Sequence, residues 1–387
     1  MRRSVFAKPL VLALLAAFAT SASAQLAISS NDGKVTLVNG VASMPAKVVP
    51  DTIAILELSG TPRVIAEIEV PGSFMGPPSN VAISPDGRMA LIASAYKINP
   101  ADPKGWIPDN KVAVVDLKSS PPKVIATVEC GAAPSGLSFN KEGSLALVAN
   151  RSDGTVTVLK IAGTSVTRID SLQLGPATSG PSHVAFTPDG KMALVTRDGD
   201  SAVSVLSVNG DKVEYNKRDL FPGIRPYGLV IAPDGKSAVV ALVGRGTGDA
   251  DAIASIDLTG KWPRVAEHLT IGQTPEAISM SADGKMVAVS VINGSNKAKD
   301  FPWYSGNGKV VLVRVDGTKL TRLSEAPVGA WVQGNGFSGD GRKLFAQNIL
   351  ENQLQVLDID ANGQLKDSGQ RIPLKASPVG MRVLGAP

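Results

Sequence analysis

One cysteine, two histidines and only 4% aromatic residues are found in this chain of 387 residues, and each scarcity closes off a class of protein. Cys130 alone cannot form an intramolecular disulfide, so a small stapled fold is excluded and stability has to come from a large core. It follows the apolar segment 124–128 with nothing nearby to activate a thiolate, and reads as a small buried hydrophobe. His183 and His268 share no ligand spacing, so a His-rich zinc or copper site is not expected. Glu276, Asn80, Asn150 and the Asp249/Asp251 pair could offer oxygens to calcium, but no Asp-rich loop with fixed spacing is present. The glycine-rich stretch 244–248 lacks both the Lys-Ser/Thr ending and the following helix of a phosphate loop, and there is no Gly-x-Ser-x-Gly elbow. No metal and no cofactor is expected.

Long apolar runs are also missing beyond the N-terminus. The run 10–19 follows Arg2, Arg3 and Lys8 and ends in Ala22-Ser23-Ala24, the pattern of a secretory signal peptide cut before Gln25. It is too short to span a bilayer of roughly 30 Å, and no run of ~20 apolar residues follows it. The expected product is a single domain, 25–387, that is periplasmic or secreted and has no integral membrane segment. The formal charge of +5 is largely that segment's, because the remainder carries 36 basic against 34 acidic residues. A nucleic-acid partner, which would call for a basic stripe, is therefore not expected; Arg197, Arg225 and Arg245 could form only a local patch.

What the chain does have is a repeat. An apolar run, an acidic residue followed by Gly, and a second apolar run recur at Asp32-Gly33, Asp86-Gly87, Glu142-Gly143, Asp189-Gly190, Asp234-Gly235, Asp283-Gly284 and Asp340-Gly341. Such a dipeptide between alternating apolar runs signals a β-hairpin, since Gly tolerates the positive φ of the turn. Two further strand-like runs follow each hairpin; in one repeat the four are 137–139, 145–149, 156–159 and 166–169. Four strands per repeat and seven repeats predict an all-β, seven-bladed propeller of antiparallel blades. Ser377–Val383 and residues 26–30 compete for the innermost strand of the closing blade. The former is favoured, because it carries the Pro-x-Gly lead-in of Pro134-Ser135-Gly136 and Pro226-Tyr227-Gly228.

There is no Trp-Asp or Gly-His dipeptide of the WD40 type. Instead the hairpins read Ser84-Pro85-Asp86-Gly87-Arg88-Met89, Thr187-Pro188-Asp189-Gly190-Lys191-Met192 and Ser281-Ala282-Asp283-Gly284-Lys285-Met286, with Leu147-Val148-Ala149-Asn150 as a worn second strand. These motifs resemble the YVTN-repeat family of β-propellers. The segment 181–190, Pro-Ser-His-Val-Ala-Phe-Thr-Pro-Asp-Gly, is similar to a repeat of the propeller lactonases related to 6-phosphogluconolactonase. That resemblance implies that His183, Arg197, Arg225 and Glu276 could polarise a lactone carbonyl and activate water.

If the strands of a blade are A to D from the axis outward, the acidic-Gly turns join A to B on one face, and the opposite face carries the B–C loops and D–A linkers. The long insertions 39–51, 97–111, 244–251 and 293–309 all read as B–C loops, and loops of that length are uncommon unless functional. Tyr96, Trp106, Trp303 and Tyr304 sit in or beside them, and Tyr227 and Trp331 in D–A linkers. They either line a binding surface or tether their own loops. With Asn80, Asn150 and Gln333 at the channel mouth, they are the candidate contacts to a protein, polymer or small-molecule ligand. The leading expectation is an exported binding or scaffold protein that works through this face; the alternatives are a lactone hydrolase at the channel mouth and a nucleic-acid-binding propeller.

Overall fold

The computed structural model describes residues 25–387; the expected signal segment lies outside the described residues. Seven four-stranded antiparallel sheets surround a central channel. In chain order, blade 1 spans 81–129, blade 2 134–173, blade 3 181–220, blade 4 226–272, blade 5 275–328 and blade 6 332–373. Blade 7 takes Leu26–Asp32, Thr52–Glu57 and Arg63–Glu69 from one end of the chain and its innermost strand, Ser377–Val383, from the other. Ala27 pairs with Val383, Ser29 with Met381 and Asp32 with Ser377, so the C-terminal segment wins the inner position.

This closure corrects one of the seven turns. Asp32-Gly33 is not an A–B turn, because Leu26–Asp32 is the second strand of its blade, and its end leads into the first insertion on the opposite face. The other six are built alike. Gly87 takes φ 64°, its N–H donates to the Ser84 carbonyl at 2.8 Å, and the Ser84 hydroxyl donates to the Asp86 carboxylate at 2.6 Å. The same bond joins Thr187 to Asp189, Ser281 to Asp283 and Ser338 to Asp340, which explains why a hydroxyl residue stands two before the acid in four of these six turns.

Strand B packs both its faces against neighbouring blades and is buried throughout: all six residues of Leu145–Asn150 are buried, whereas the outermost strand Lys123–Glu129 is mostly exposed. The core therefore sits between sheets, as with Leu147, Val158, Val184, Phe186, Val195 and Leu206 between blades 2 and 3. It is almost wholly aliphatic, in keeping with the few aromatic residues; Cys130 packs among Leu91, Val112 and Leu159, and burial pushes its thiol up to about 12.

Two of the expected loops are strands. Residues 97–111 extend strands B and C of blade 1 into a long ribbon, Met89–Asn99 against Asp102–Asp116. The first insertion carries a hairpin, Thr36–Val38 with Val41–Ser43, whose Val35 and Leu37 pack on Phe74, Ile292, Trp331, Ile349 and Val379. Lys34 pins its root, with Nζ 3.2 Å from Asp32 and 2.7 Å from Asp51. Part of the B–C face is thereby roofed beside blades 5 to 7.

Around the axis the inner strands approach so closely that side chains are excluded at some positions. A Cβ on Gly136 would stand 2.5 Å from the Ser182 carbonyl oxygen and 2.6 Å from the His183 Cα, both backbone atoms, while one on Gly306 would meet nothing within 4 Å. Gly136→Ala is expected to cost about 1–3 kcal/mol by overpacking, and Gly306→Ala close to nothing. Equal denaturation midpoints for the two variants would refute the crowding account.

Candidate functional site

Consecutive residues at the end of a strand point to opposite sides, and two B strands use this to place charge toward the axis. In blade 2, Asn150 turns into the blade, its Nδ2 donating to Thr155 and Thr157 at 2.9 Å, while the next residue, Arg151, reaches the channel mouth. Blade 3 repeats the arrangement. Arg197 runs outward to the Leu174 carbonyl at 2.7 Å and the Asp219 carboxylate at 2.8 Å, while Asp198 faces inward. The expected placement of Asn150 and Arg197 at the mouth is thus corrected by one residue in each strand, to Arg151 and Asp198.

Asp198 is buried and holds two guanidiniums, Arg151 at 3.2 Å and Arg225 at 3.1 Å, and also accepts the Ser182 hydroxyl at 3.0 Å. Arg151 also donates to Ser182 and lies over the Tyr227 ring, 5.4 Å from its centroid. Arg225 has a positive φ of 55°, the left-handed conformation with which its linker enters the inner strand of blade 4, and its side chain is 42% exposed. Next in the ring stands Glu276 of blade 5, whose carboxylate accepts the Gln333 Nε2–H of blade 6 at 2.8 Å. Burial raises the Glu276 carboxyl to about 7, against the lowering pull of Gln333, Arg225 and Arg151. Burial likewise holds the Tyr227 phenol well above its ordinary value, so it remains protonated. The Gln333 Oε1 and the Ser135 Oγ are buried without hydrogen-bond partners.

Blades 2 to 6 thus bring together two arginines, a phenol and a carboxyl able to exchange its proton near neutrality. Such a cluster can accept a proton from water and draw negative charge onto a neighbouring oxygen. Glu276, Arg225, Tyr227 and Gln333 were expected at this mouth; Arg151 and Asp198 were missed. The signal available was their position immediately after strands B, but the inner-strand bulges, such as that between Pro134 and Leu137, obscure the register.

His183 stands apart. Its Nδ1 accepts the Leu229 N–H of the next blade at 3.0 Å, which leaves the proton of the neutral ring on Nε2. Burial, helped by the charge of Arg382, pulls it down to about 3, so it is a neutral donor and not a base at ordinary pH. It lines cavities bordered by Arg382 and not by Glu276, Arg225 or Arg197.

The remaining candidates divide between anchors and surface. Asn80 bridges blades 7 and 1 through the Ser30 hydroxyl at 3.2 Å. Trp331 is buried and joins Phe74 and Trp106 in an edge-to-face series with centroid distances of 6.0 and 5.3 Å, so both tryptophans tether the roof. Tyr96 meets Ser152 at 3.3 Å beside the arginine cluster. Trp303 and Tyr304 are exposed, at 60% and 36%.

Residues 163–301, a little over a third of the chain, match the family model described as lactonase, seven-bladed β-propeller. No curated protein matches the sequence. Among solved structures, a protein from Bacteroides fragilis provisionally assigned as a 6-phosphogluconolactonase is 18% identical, with 94% of this chain and 99% of that one covered and a TM-score of 0.72. The periplasmic gluconolactonase of Pseudomonas aeruginosa is also 18% identical, with coverage of 94% and 100% and a TM-score of 0.69. With seven four-stranded blades, a ring latched by both termini and neighbours that share its architecture along the whole described chain, the protein is a seven-bladed β-propeller whose central blades match the lactonase family model.

Proposed function

We propose that the protein hydrolyses a lactone at the channel mouth formed by Arg151, Asp198, Arg225, Tyr227, Glu276 and Gln333. The observation that carries this reading is Glu276: a carboxyl titrating at about 7 with two guanidiniums beside it. In the reaction, the Glu276 carboxylate takes a proton from water as the water oxygen bonds to the lactone carbonyl carbon. Charge develops on the carbonyl oxygen, where Arg151 or Arg225 stabilises it. The ring C–O bond then breaks, and the proton held by Glu276 passes to the departing ring oxygen, giving a hydroxy acid. Asp198 orients both arginines.

The family match, and structural neighbours described as a 6-phosphogluconolactonase and a periplasmic gluconolactonase, support this reading over a purely scaffolding role. An exported location fits the N-terminal segment and the periplasmic neighbour, and among the described residues no helix is long and apolar enough to cross a membrane. N-terminal sequencing of protein recovered from periplasm and medium tests it; a chain that still begins at Met1 would overturn it.

Activity is expected on a panel of sugar and aliphatic lactones, measured above spontaneous ring opening. Because a base must be ionised, kcat/KM should rise with pH through about 7. Glu276→Gln should lower it by roughly 10²–10⁴-fold. Arg225→Gln removes a charge that lowers the Glu276 pKa and should displace the rising limb to higher pH. Wild-type turnover in Glu276→Gln, or a limb unmoved in Arg225→Gln, would refute the assignment.

The same carboxyl predicts a stability signature independent of substrate. Its folded-state pKa is raised from 4.5 to about 7, so ionising it opposes folding as pH climbs through that window. Glu276→Gln should match wild type at pH 4 and be more stable above pH 7, by up to about 3 kcal/mol. Thermal unfolding across pH measures this, and a constant difference would contradict it.

A further inference from the structure

The channel has a second polar feature beyond the Glu276 cluster. A cavity of about 410 Å³ opens on the A–B turn face, bordered by Pro85, Pro188 and Pro233 of three turns. That volume is within the range of small-molecule sites. Its walls mix apolar side chains, Phe139, Phe186 and Ile231 among them, with polar groups in nearly equal share; no acidic side chain lines it, and Pro387, the last residue, borders it. Arg382, on the inner strand of blade 7, borders this cavity and the smaller one behind it. Its guanidinium makes a single hydrogen bond, from Nη2 to the Ala386 carbonyl at 3.1 Å, and among the described residues it has no ion pair.

Arg382 is half-buried, and a partly desolvated arginine without a counter-charge is stabilised when an anion docks against it. His183 lies beside it as a neutral ring with its Nε2–H undirected by any protein acceptor, and Lys141 stands at the rim. One guanidinium fork, one further N–H donor and a partly apolar wall suit a planar monoanion with a hydrophobic body. They suit a phosphate dianion less well, since its second charge and its remaining oxygens would meet the apolar part of the wall.

We propose that this cavity binds a small organic carboxylate, its carboxylate group on Arg382 and His183 and its apolar body among Phe139, Phe186 and Ile231. The site is separate from the Glu276 cluster and does not depend on the reaction assigned there.

Benzoate, its neutral counterpart benzamide, and inorganic phosphate are the probes, titrated calorimetrically into the protein spanning 25–387. Benzoate is expected to bind at least about ten-fold more tightly than benzamide and than phosphate. Arg382→Met keeps most of the side-chain volume and removes an unpaired charge; it should fold with an unlowered Tm and bind benzoate at least about ten-fold more weakly. Glu276→Gln should bind it like wild type. Equal affinity for benzoate and benzamide, preference for phosphate, unchanged binding by a folded Arg382→Met, or loss of binding in Glu276→Gln would each overturn the proposal. Should Arg382→Met fail to fold, benzoate must still raise the Tm of wild type where benzamide does not; the absence of that shift also overturns it.

Discussion

Every blade in this ring depends on the pairing of Leu26–Asp32 with Ser377–Val383, because a propeller has stable sheet edges only when its last blade is completed. An open ring would leave the inner strands of blades 1 and 6 without neighbours across the axis. Here the two ends of the chain share one sheet, and Gln347 of blade 6 ties in through the Ser29 hydroxyl at 2.7 Å and the Gly380 carbonyl at 2.9 Å. Closure also sets how tightly the inner strands converge, and so demands small residues such as Gly136 and Gly228 near the axis.

That convergence is what makes chemistry available. Residues far apart in the chain, Arg151, Asp198, Arg225, Glu276 and Gln333, meet because each stands near the same end of a strand in successive blades. The crowding that brings them together also desolvates them, and desolvation is the largest influence on Glu276, Tyr227 and His183 alike. Its consequence depends on the neighbours. Glu276 is moderated by two arginines and stays within reach of neutral pH, whereas His183, beside Arg382, is held neutral. One channel therefore presents a proton acceptor toward one face and neutral or cationic donors toward the other.

The roof over the first face comes from insertions. The hairpin of blade 7 and the aromatic series Phe74, Trp106 and Trp331 cover the side near blades 5 to 7, while Arg225 remains reachable by solvent. Insertion length drew attention to this face, and two of the tryptophans it carries serve the roof, because an aromatic ring on a long loop can bury that loop's root.

The acidic-Gly turns and the apolar runs on either side of them are local features, and they determined from sequence alone that this protein is a seven-bladed propeller, while the Pro-x-Gly lead-in of Ser377–Val383 marked the segment that closes it. Local rules also drew attention to Glu276, Tyr227 and Gln333, since polar residues that open an apolar inner strand have to face the mouth. Which member of the pairs Asn150-Arg151 and Arg197-Asp198 turns inward was decided only by the tertiary structure. The B strands themselves alternate without a break, but the inner strands beside them carry an extra residue, between Pro134 and Leu137 and between Pro181 and His183, so how the end of each B strand is set against the axis is not recorded in the pair's own chemistry. The protonation of His183 and Glu276 was settled the same way, because burial and neighbouring charge arise from blades that the chain brings together only on closing the ring.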